Sequence, residues 1–155
     1  MALKANFTQE DVRKRFDAFL KAIDSRIIKR LQFLGEKCVT HAKSIPPDKG
    51  FKDQTGNLRS SIGYMVFRDG VAVHEGYEGT DAGMRKGRDI ATKVGSQNKS
   101  PYCLVVTAGM DYAVYVESRG RDVLTSAEIL ARKELPRMLE QLKVNINKAL
   151  NETDI

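Results

Sequence analysis

Cys38 and His41 form a C-x-x-H pair, and His74 and Cys103 are two further groups able to ligate a metal. Four such donors converging would suit a tetrahedral zinc site. However, Cys38 falls on the apolar stripe of a helix and Cys103 inside a strand, where cysteine serves as a small hydrophobe. His74, near the end of a strand, reads as a partly exposed pairing residue. Nucleophilic catalysis needs a nucleophile beside an oriented base, and Ser44, near His41, sits in no recognisable elbow. Glu75, Glu78 and Glu117 have no spacing of a metal-binding or glycosidase pair; Glu75 and Glu117 approach each other only if their strands are neighbours. The glycines of "GYEGTDAG" do not lie between a strand and a helix start in a phosphate-binding spacing. The expectation is a non-enzymatic protein with no cofactor and no metal.

The elements that must position these residues begin with a long helix. Val12, Phe16, Phe19, Leu20, Ile23, Ile27, Leu31, Leu34 and Cys38 recur at threes and fours, which is one helical stripe. Thr8 is placed to cap it, with Asp11 three residues on and Phe7 able to staple against Val12. Pro46 and Pro47 cannot continue it. At 1.5 Å per residue the rod is roughly 54 Å long, enough to cross a whole sheet or project toward a partner. Thr55 then caps a short turn carrying Leu58, Arg59 and Ser61. Residues 62–67 and 71–74 read as a hairpin around Asp69-Gly70, and the first strand is apolar on both faces.

Residues 76–100 hold five glycines and many charges, and read as a projecting loop or hairpin extension. A second hairpin is expected from "YCLVVTAG" and "YAVYVES", turning at Met110-Asp111. As a strand the latter puts Tyr112, Val114 and Val116 on one face and Ala113, Tyr115 and Glu117 on the other, neither plainly polar. A final helix carries Ile129, Leu130, Met138, Leu139, Leu142, Ile146 and Leu150, with Thr125 or Ser126 as cap and Pro136 as a kink or its true start. The expected fold is α+β: long N-terminal and C-terminal helices packed on one face of a roughly four-stranded antiparallel sheet. No segment then remains to cover the second face.

The 155 residues suit one domain with its own core. No stretch approaches the ~20 apolar residues needed to span a bilayer, and the N-terminus lacks the apolar run of a signal peptide. Two cysteines make no disulfide framework and fit a reducing compartment. The net charge of +6 permits contact with an acidic partner. Residues 12–43 carry nine Lys or Arg against three acids, and Arg85, Lys86, Arg88 and Lys93 would contact DNA or a protein partner from the loop. With no tryptophan for base stacking, a DNA contact would be non-specific.

"TGNLRSSI" (55–62) and "YAVYVESRG" (112–120), in that order between two helices, resemble the minor tail or tail-completion (neck) family of long-tailed bacteriophages and prophages. Thr55, Gly56, Leu58, Ser61 and Ile62 fill the pattern T-G-x-L-x-x-S-I; Tyr112, Ala113, Val116 and Glu117 fill the start of Y-A-x-x-V-E-x-G-T. The second motif departs at its end, where Ser118-Arg119 precede Gly120 and no threonine follows. The resemblance implies a structural virion-assembly subunit at the head–tail joint or tail end. It implies a ring-like homo-oligomer bound to connector or tail proteins, formed in the host cytoplasm and then part of the virion. Tyr112 and Tyr115 would lie near the subunit interface, where a neighbouring copy covers the second sheet face. Glu117 would close its strand and pair with Arg59 or Arg119. The alternative is a DNA-binding accessory protein using the basic N-terminal helix and loop.

Overall fold

The computed structural model describes residues 4–111 and 113–153, the side chains of 114–116 and 153 excluded. The first helix, α1 (Gln9–Ser44), runs as its stripe requires. Its start is a capping box: the Asp11 amide donates to the Thr8 hydroxyl at 3.2 Å, and the Thr8 amide donates to the Asp11 carboxylate at 2.8 Å. A single helical turn, α2 (Asn57–Ser61), leads into β1 (Ile62–Arg68), which pairs antiparallel with β2 (Val71–Gly76). Asp69 and Gly70 both take positive φ, 51° and 78°, the two-residue turn whose twist matches a hairpin. Then come α3 (Asp81–Gln97), β3 (Tyr102–Ala108), α4 (Ala113–Ser118) and α5 (Thr125–Thr153). The sheet order is β2-β1-β3, antiparallel throughout.

The fold class is α+β, but with three strands rather than four. Two expectations fail. Residues 113–118 are helical, so the second hairpin does not form. Alternation of apolar residues over so short a stretch suits either structure, and here Ala113 enters the core while Glu117, one turn on, reaches the next helix. The segment at 76–100 is likewise no projecting loop: it completes β2 and then forms α3, packed on the sheet. Its glycines are contact surface. Gly83, Gly87, Ala91 and Gly95, spaced by four, are the buried residues of α3. A Cβ on Gly95 would lie 2.1 Å from the Phe67 ring, and one on Gly87 would lie 2.5 Å from the Ser61 carbonyl oxygen.

This helix answers why β1 is apolar on both sides: the second face of the sheet is covered by the chain itself. Six of the seven β1 residues are buried. On one side α1 crosses so closely that a Cβ on Gly35 would lie 2.5 Å from the Tyr64 ring, and Leu34 and Cys38 join Leu58, Ile62, Val123 and Ala127 in the main core. On the other side Met65, Phe67 and Val105 pack against Ala91 of α3. Asp24 of α1 accepts from Arg68 at 2.6 Å and from the Tyr102 hydroxyl, fastening the middle of α1 to the ends of β1 and β3. Helix α5 packs along α1 and runs on through Pro136, which lacks the amide for one helical bond. Its start is Thr125 and not the proline.

Candidate functional site

The first motif is a junction. Gly56 adopts φ 76°, the left-handed conformation that glycine reaches without strain. It caps α2 from the backbone, while the Thr55 hydroxyl accepts from the Asn57 amide at 3.3 Å. Leu58 and Ile62 are fully buried. Ser61, also fully buried, donates to the Leu58 carbonyl at 2.7 Å and accepts from the Gly109 amide at 3.0 Å. It thus ties α2 to the end of β3. The neighbouring Ser60 accepts from the Thr80 amide at 2.9 Å, and Thr80 caps α3 while donating to Asn57 at 2.7 Å. One short stretch therefore holds the starts of α2 and α3 and the exit of β3.

The second motif caps a helix. One Glu117 carboxylate oxygen accepts from the amides of Val123, Leu124 and Thr125 at 3.0, 2.6 and 3.2 Å, and the other accepts from the Thr125 hydroxyl at 2.7 Å. These amides open α5, where a helix has donors without partners and favours negative charge. Burial pushes the Glu117 pKa up, but these hydrogen bonds outweigh it and hold the carboxyl below its ordinary value. The expected partner Arg59 is engaged elsewhere, donating to the Lys43 carbonyl and lying over the Phe51 ring. Ala113 is buried in the core. Tyr112 lies outside the described residues, as does the side chain of Tyr115.

The candidate metal ligands do not converge. Cys38 is in the core on the α1 side, its thiol 3.7 Å from the Ala127 carbonyl, whereas Cys103 packs on the α3 side of the sheet. Burial pushes both thiols up. His41 shares a 2.9 Å hydrogen bond with Ser126, and His74 lies against the Tyr64 ring. Glu75 pairs with Arg88, well apart in role from the helix-capping Glu117. No cluster of three or more metal-binding side chains occurs among the described residues, and no helix there is long and apolar enough to cross a membrane.

The four cations assigned to the loop lie on α3. Lys86 reaches Asp111 at 3.9 Å, while Arg88 pairs with Glu75 at 3.1 Å and covers the Tyr77 ring. Burial of the Tyr77 hydroxyl pushes its pKa to about 12. Arg85 and Lys93 are exposed.

The least satisfied surface is apolar, and its extent was hidden in the sequence. An open groove of about 630 Å³ runs between α1, β3 and α5, lined by Ile27, Leu31, Leu104, Val106, Leu124, Leu135 and Leu139. Beyond it the stripe of α1 continues outward. Phe16 is 60% exposed, Val12 51% and Leu20 47%, although the same stripe holds Leu34 and Cys38 at 1%.

No family model matches this chain, and neither a curated protein nor a solved structure matches it.

Proposed function

We propose that this chain is a non-enzymatic virion-assembly protein, an oligomeric subunit at the head–tail joint or the completed tail end of a long-tailed bacteriophage. The observation that carries the assembly role is the mismatch on α1. Its apolar stripe is one continuous feature of the sequence, yet the chain's own body covers only the C-terminal half. Apolar side chains spaced for burial and left in water mark a surface made for a partner. The two motifs carry the resemblance to tail-completion proteins, and their structural roles, a junction at Ser61 and a helix cap at Glu117, are compatible with a scaffold role. Head-to-tail contacts between unlike surfaces close into rings when the rotation permits. The projecting stripe and the open groove are two such surfaces on one chain. Connector or tail proteins of the virion would then seat on the completed ring.

The test is the mass of the purified protein by light scattering after size exclusion, at low and high salt, with images of the largest species. Closed rings that survive high salt are expected, since apolar contacts are not screened. The double variant Phe16→Glu, Leu20→Lys should be monomeric and still folded. A wild-type protein that stays monomeric at every concentration and binds no connector or tail protein would overturn the reading.

A further inference from the structure

Where α5 runs beside the middle of α1, positive charge gathers in a second cleft. Arg26, Lys29 and Arg30 of α1 and Lys148 of α5 line it, together with Asn145 and Leu142. Spacings of three and four place the α1 residues on one face of that helix. The packing of the two helices brings Lys148 to the same place. None of these four cations has an ion pair among the described residues, a state they share with most of the chain's cations; what sets them apart is that they line one cleft together. Like charges one helical turn apart repel one another. A group of four therefore attracts a polyanion, since none of the four is ion-paired to a carboxylate among the described residues. Glu152 is the one acid lining the cleft among the described residues.

We propose that this cleft binds the phosphodiester backbone of double-stranded DNA. Two features choose that occupant. Three of the cations lie within about one turn of α1 and the fourth stands on the helix packed beside it, a compact positive group suited to backbone phosphates. The cleft also offers no aromatic ring, the platform on which single strands stack. The charges address phosphate oxygens, and contacts of that kind carry no sequence information, so the binding is independent of sequence. The site is separate from α3, where Arg85, Lys86, Arg88 and Lys93 lie.

The experiment is fluorescence anisotropy of two labelled duplexes of unrelated sequence, titrated with the full chain over a range of salt concentrations. Equal affinities are expected, with log K falling against log salt at a slope of about −3.6 for four phosphate contacts. In Arg26→Gln, Lys29→Gln, Lys148→Gln the slope should shrink to about −0.9. Glu152→Gln should bind more tightly than wild type. Arg85→Gln, Lys93→Gln should leave the slope unchanged, and circular dichroism should show all variants folded. An unchanged slope in the triple variant, a loss confined to the α3 variant, or binding only to single strands or to phosphatidylserine vesicles would each overturn the assignment.

Discussion

Glu117 shows how one carboxylate can serve a fold from the far side of a loop. It stands six positions before Val123, yet it takes three successive amides at the start of α5 and the Thr125 hydroxyl as well. Read as the last residue of a strand it has no such role, and no local signal in the sequence pairs it with residues 123–125. Its folded-state pKa lies below its ordinary value of 4.5. The stabilisation is therefore fully present above that value and is lost as pH falls through the lower, folded-state pKa. Glu117→Gln keeps one acceptor oxygen but loses the charge, and it turns an amide NH₂ toward a hydroxyl that had been donating. The expected cost is about 1–2 kcal/mol at neutral pH, the scale of a lost helix cap. Urea denaturation of both proteins at neutral pH and in acid checks this: the gap should narrow as pH falls below the carboxyl's ordinary value toward its lower folded-state one. A gap of constant size would show that the charge contributes nothing.

Among the elements, α1 was legible because every local signal agreed: Thr8 and Asp11 at one end, two prolines at the other and one unbroken stripe between. The hairpin at Asp69-Gly70 was legible for a similar reason, since few sequences tolerate two positive φ angles in succession. Helix α3 was not, because glycine density reads as loop. The usable signal was spacing, with Gly83, Gly87, Ala91 and Gly95 falling every four residues on a single face. Small residues there let the helix backbone approach the sheet, so the usual preference for alanine over glycine should reverse. Gly95→Ala gains up to about 1 kcal/mol in helix propensity. It also places a methyl carbon 2.1–2.4 Å from the ring of Phe67, which is 1% exposed and has no room to move aside. Overpacking of this kind costs about 1–3 kcal/mol, so the net expectation is a lower denaturation midpoint. A higher midpoint would mean that α3 sits farther from the sheet than the glycine contacts require.

For the molecule as a whole, the chain is well closed around β1 and poorly closed along α1. The sheet has a helix on each face of β1. Apolar surface still uncovered includes the outward half of the long helix and the groove it shares with β3 and α5, besides exposed side chains such as Val71 and Val73 of the edge strand β2. If a second copy covers that surface, folding and association are linked, and the melting temperature must rise with protein concentration. Phe16 is more than half exposed in the single chain, so Phe16→Glu should cost the isolated subunit little while weakening the contact between copies. The expected outcome is a wild-type melting temperature that climbs over a hundredfold range of concentration and a variant whose melting temperature stays flat. At high dilution the two should coincide, because there both report the lone chain. A wild-type melting temperature independent of concentration would mean that the exposed stripe is not buried between copies, and the contact it awaits would have to be with a different protein. If the variant melted lower even at high dilution, Phe16 would be acting within one chain, and the mismatch between stripe and body would have to be redrawn.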